Sequence, residues 1–78
     1  MKLVYDPRYN IAYITLHEKT ASVETIRLSD ELNVDIAPDG TVYGIELLDA
    51  NKQLRSEDNN NLVFINEALG LRREIPLS

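Results

Sequence analysis

The sequence predicts an α+β fold that is mainly β: an antiparallel meander of about five short strands, with a C-terminal helix packed on the sheet or on a partner chain. Three observations carry this expectation. β-Branched and aromatic runs recur at short spacing up to Leu48, the composition of strands. Asp39-Gly40 stands between two runs that alternate apolar and polar, a strong hairpin signal because a tight turn there needs positive φ at its centre. After Leu48 the chain turns polar, and the apolar segment Leu62–Leu69 then lies between Asn61 and Gly70, which suit a helix N-cap and a C′ stop.

Taken in order, Leu3-Val4-Tyr5 and the run from Ile11 to Leu16 form a first hairpin across Asp6–Asn10, where Asp, Pro and Asn are turn formers and Asp6 is expected to hold the turn through its side chain. The second of these strands is apolar on both faces, which places it inside the sheet with both sides covered. His17–Ala21 is a polar connection, and Val23–Leu28 a weakly alternating third strand. Residues 32–48 are the organising hairpin. A two-residue turn with Pro38 opposite Thr41 pairs Ile36 with Tyr43, Val34 with Ile45 and Leu32 with Leu47 on a greasy face, and Asn33 with Glu46 and Asp35 with Gly44 on a polar one. A three-residue loop closed at Gly40 shifts the pairing by one and sets Leu32 against Glu46, so the pattern favours the shorter turn. Gly44, inside a strand, marks a close approach, and the ring of Tyr13 is the expected neighbour.

Residues 1–50 thus read as the β domain and 51–61 as a polar linker whose first half suits a helical turn. Residues 62–78 read as a helix and a frayed tail. The helix is preferred because caps agree at both ends. A strand ending at Asn66 is the alternative, since Leu-Val-Phe-Ile is rich in β formers.

The chain has 78 residues and no cysteine, with His17 as its one imidazole. It lies near the lower size limit for a self-sufficient core, and neither disulfides nor an ordinary zinc site is available as a staple. Association with another chain remains. A formal charge of −5, from 8 basic and 13 acidic residues, repels phosphate backbones and argues against direct nucleic-acid binding. The start of the chain has no apolar signal core, and no apolar run approaches membrane-spanning length. A cytoplasmic location is expected.

The chemistry-bearing groups are carboxylates: Asp6, Asp35, Asp39, Glu46 and Asp49. Asp35 and Glu46 share the polar face of the 32–48 hairpin, one pairing apart, close enough for a shared metal or an acid/base pair. The plainer role is solvation of an outer face. His17 has no nucleophile in a recognisable motif beside it, and the three glycines form no phosphate loop.

Tyr5-Asp6-Pro7 followed by Ala12-Tyr13-Ile14, the Asp39-Gly40 turn, and Gly44-Ile45-Glu46 leading to Leu48-Asp49-Ala50 together resemble the small bacterial domain-of-unknown-function family 2283 over about residues 1–54. The family usually carries an acidic residue where this chain has Asn10, and a serine where it has Asn51. The resemblance implies a compact β-rich domain and no established activity or cofactor; by association with neighbouring genes it implies a role as the neutralising partner of a small toxin-like protein.

The expected function is therefore non-enzymatic: a protein-binding or self-associating module without a cofactor. Its partner is a second copy, giving a homodimer, or a small basic protein, and Tyr13, Leu62, Val63, Phe64, Ile65 and Leu69 are the expected interface. The alternative is a carboxylate-based metal protein or enzyme using Asp35 and Glu46.

Overall fold

The computed structural model describes residues 1–18 and 22–77, so the last three residues of the polar connection at 17–21 lie outside the described residues. The strands are β1 (Lys2–Asp6), β2 (Ile11–Thr15), β3 (Glu24–Ser29), β4 (Leu32–Ile36) and β5 (Val42–Leu48). They form one antiparallel sheet in the order β1-β2-β5-β4-β3. The mainly β class is the expected one, but the order corrects the simple meander. β2 pairs with β5, not with β3. A strand apolar on both sides is stabilised by an interior position, whereas β3, exposed along its whole length and carrying Glu24 and Arg27, suits an edge.

The organising hairpin keeps most of the expected register. Leu32 faces Leu47, Asn33 faces Glu46, Val34 faces Ile45 and Asp35 faces Gly44. Its turn differs from expectation. The Ala37 amide donates to the Thr41 carbonyl at 2.9 Å, so the loop has three residues, Pro38–Gly40, with Gly40 at φ 91°. That loop alone would shift every pair by one. The register moves back between Asp35 and Ile36, where Ile36 pairs with Val42 and Tyr43 is bulged out. Burial of one face fixes the register so strongly that the strand takes a bulge in preference to a slip.

α1 (Ala50–Arg55) follows β5, in the segment expected to be a linker with a helical turn. A 3-10 turn, Asp58–Asn60, leads out of it, with φ of 53°, 55° and 64°. Residues 62–69 then correct the helix expectation. Asn61–Asn66 is a strand, β6, paired antiparallel with β7 (Leu71–Pro76), so the tail expected to fray is ordered. The caps were real turn signals serving another turn. Asn66 Oδ1 accepts the Leu69 amide at 3.3 Å and Gly70 takes φ 62°, closing a four-residue hairpin loop. Asp6 does the same in the first hairpin, accepting the amides of Arg8 at 2.9 Å and Tyr9 at 3.4 Å, with Asn10 at φ 60°.

Candidate interaction surface

Alternation along the strands divides the five-stranded sheet into two chemically distinct faces. On the apolar face, the cross-strand row Leu3, Ile14, Ile45, Val34 and Ile26 runs through all five strands. A second row, Tyr5, Ala12, Leu47 and Leu32, lies beside it. α1 sits at the end of this second row. Tyr5 donates its hydroxyl to Asn51 Oδ1, Gln53 Nε2 reaches the Glu31 carbonyl at 2.9 Å, and Ala12 is 1% exposed. In the first row Leu3, Ile14, Ile45 and Val34 are part-buried and Ile26 is exposed. Among the described residues the buried apolar side chains are Ala12, Ala37 and Ala50, and no large side chain is fully enclosed.

The anchor that holds α1 comes from the first hairpin. Asp49, the N-cap, adopts φ 51° and makes no side-chain cap bond. Asn10 supplies the cap from a distance: its Oδ1 accepts the Asn51 amide at 2.6 Å, its carbonyl accepts the Ala50 amide at 3.1 Å, and its Nδ2 donates to Asp49 Oδ1 at 3.0 Å. Asn51 in turn donates to the Pro7 carbonyl at 3.3 Å. Asn10 and Asn51 are thus one knot tying helix to sheet.

The opposite face is polar and internally bonded. Thr15, Gly44, Asp35 and Thr25 form one row, and Val4, Tyr13, Glu46, Asn33 and Arg27 the next. A Cβ built on Gly44 would collide with the Tyr13 ring, so the expected close approach is there. It delivers the Tyr13 hydroxyl to Asp35 Oδ2 at 2.5 Å, while Thr25 donates to Asp35 Oδ1 at 2.6 Å. Asp35 is 7% exposed, and its acceptance of two hydroxyls is what makes that burial tolerable. Asn33 Nδ2 donates to Glu46 Oε1 at 2.8 Å. These residues line a shallow cleft. Asp35 and Glu46 lie on one face as expected, each engaged by a neutral donor, and among the described residues no group of three or more His, Cys, Asp or Glu could hold a metal ion. His17 is exposed, with its ring edge-on to Tyr43 at 5.8 Å.

Of the expected interface residues, Tyr13 is therefore on the polar face of the sheet, and the others lie in the C-terminal hairpin. Leu62, Phe64 and Ile75 share one side of that ribbon, while Val63 and Ile65 share the other with Glu74 and Arg72. Arg72 and Glu74 form an ion pair at 3.2 Å. Leu69 is exposed in the loop. The partners of the ribbon are α1 and the 3-10 turn, with no extensive packing on the sheet.

The sequence model of DUF2283, a family described as proteins of unknown function, matches residues 2–51. The chain belongs to this family. The DUF2283 match ends just after the first residues of α1, so it takes in the whole five-stranded sheet and the Asn10–Asn51 knot. The β6–β7 hairpin lies beyond the matched residues. Searches of curated proteins and of solved structures find no match. Among the described residues no helix is long and apolar enough to cross a membrane.

Proposed function

We propose that this chain is a non-enzymatic association module whose five-stranded sheet completes its core by packing its apolar face against another polypeptide. One observation supports this above the others: the row Leu3, Ile14, Ile45, Val34 and Ile26 crosses the entire sheet and none of its members is buried. A domain of this size draws its stability from such a row, and here Leu3, Ile14, Ile45 and Val34 are part-buried and Ile26 is exposed, so the stabilisation from the area still in water is not realised. A covering chain restores it. The polar face is read as structural, because both Asp35 oxygens accept hydroxyl donors from within the sheet and a metal or substrate would have to displace them.

The direct test is absolute mass by light scattering behind size exclusion, from about 1 to 100 micromolar, with the melting temperature followed over the same range. Association that completes a core makes both rise with concentration. A folded monomer whose melting temperature is independent of concentration refutes self-association, and capture of a small basic partner by its apolar face is then the form of the reading left to test.

A further inference from the structure

We propose that two copies of this chain exchange their C-terminal hairpins, the Leu62–Phe64–Ile75 side of each β6–β7 ribbon lying on the open apolar face of the other copy's sheet. This rests on the reading of that face as an association surface, and it names the occupant.

Both halves of the contact are present in one chain and both are unfinished. A two-stranded ribbon is marginal in water by itself. Here Phe64 is 49% and Ile75 51% exposed, with Leu62 beside them. The two sides of the ribbon differ in apolar content: Leu62, Phe64, Leu71 and Ile75 share one with Arg73, which lies opposite Phe64, whereas Val63 and Ile65 share the other with the Arg72–Glu74 ion pair. The left-handed run Asp58–Asn60 carries the chain from α1 into the ribbon, and the ribbon packs on α1 and that turn while its own sheet stays open. Asp and Asn tolerate this region better than other residues bearing a side chain, so the composition of the connection fits the detour.

The areas agree with one partner of this size. A monomeric protein of 8.9 kDa exposes about 4,800 Å², whereas this chain exposes 5804 Å². The surplus of about 1,000 Å² is close to the roughly 800 Å² that each partner loses in an interface of ordinary size. Shape gives the same answer. The radius of gyration is 14.0 Å against about 11.5 Å for a compact chain of this length. A second copy satisfies both unfinished surfaces at once, because a two-fold axis presents ribbon to sheet and sheet to ribbon in the same operation.

The chain has no cysteine, so single cysteines can be placed at will in the full-length protein. Phe64→Cys and Ile45→Cys chains, differently tagged and co-expressed, are treated with a bis-maleimide spanning about 10 Å, the separation of packed sheets; Val34→Cys replaces Ile45→Cys if the latter does not fold by circular dichroism. Hairpin exchange gives a dimer by light scattering in which the mixed Phe64–Ile45 product exceeds either self-linked product at least tenfold. A dimer that links Ile45 to Ile45, or that yields no mixed product, overturns the exchange while leaving the association reading intact. A monomer overturns the exchange and self-association together, leaving capture of another protein as the form of the association reading, and linkage within a chain carrying both cysteines then shows the ribbon on its own sheet.

Discussion

Gly44 and Tyr13 form the most constrained pair in the molecule, and their fit shows how a single absent side chain sets up a buried carboxylate. With no Cβ at Gly44 the Tyr13 ring lies over the strand and its hydroxyl meets Asp35. Gly44→Ala is expected to destabilise by about 1–3 kcal/mol through displacement of the ring. Most of that loss should vanish in a Tyr13→Ala background, a coupling that urea denaturation of the four-member cycle would measure. Asp35→Ala leaves two part-buried hydroxyls without their acceptor and is expected to cost about 1–3 kcal/mol by the same measurement. The exposed turn carboxylates act differently. Desolvation pushes the Asp6 carboxyl up, but the Arg8 and Tyr9 amides and the Arg8 guanidinium outweigh it and hold it below its ordinary value. The Thr41 amide and side chain hold Asp39 down in the same way. A folded-state value below the unfolded one means stability that is present above the unfolded aspartate range, near pH 4, and is lost as pH falls through the depressed values. Asp39→Asn should therefore flatten the fall of melting temperature between about pH 4 and 2; an unchanged slope would remove Asp39 as a contributor.

Among the elements, α1 is short and depends on a cap that its own sequence does not provide. Asn10 both occupies the left-handed region and caps the helix from the neighbouring hairpin. Asn10→Gly keeps the backbone conformation and loses the side-chain bonds to the Asn51 amide and Asp49, for an expected loss of about 1 kcal/mol. Asn10→Ala adds the strain of a left-handed alanine, about 1–2 kcal/mol more. Equal losses from the two substitutions in urea denaturation would show that the backbone conformation is not what Asn10 contributes. The register of β4 and β5 was legible because period-two alternation admits one solution, and Gly44 was legible because a glycine inside a strand needs a reason. The length of the Pro38–Gly40 loop was not, since a bulge elsewhere repaired the register. The β6–β7 ribbon was missed because Asn and Gly serve helix ends and hairpin loops alike. A signal was nevertheless available: Asp6 to Asn10 and Asn66 to Gly70 have the same spacing, an Asx residue opening a four-residue loop that ends in a left-handed residue.

For the molecule as a whole, the pairing of β2 with β5 joins segments separated by the entire β3–β4 hairpin, and nothing local in the sequence specifies it. Composition did specify a shortage of core, and among the described residues the only buried apolar side chains are three alanines. In the proposed dimer, stability and association are a single equilibrium. Phe64→Asp, which leaves the sheet untouched, is expected to weaken the dimer at least tenfold and to lower the melting temperature more at high protein concentration than at low.

The loop at Pro38–Gly40 and the bulge at Tyr43 offset each other residue for residue, and this bears on how the hairpin can change its length over descent. Two closures span the residues between Asp35 and Gly44 with the same pairing outside them: a two-residue turn with regular pairs, or the three-residue loop with the bulge at Tyr43 that this chain adopts. With the bulged residue gone, the same loop closes a regular ladder, and with one loop residue gone, a two-residue turn closes on the same Ala37–Thr41 pair. Either loss leaves every pair from Asp35–Gly44 outward in place. The bulge is thus a slack residue, through which the turn can change length by one while the faces of β5 stay as they are.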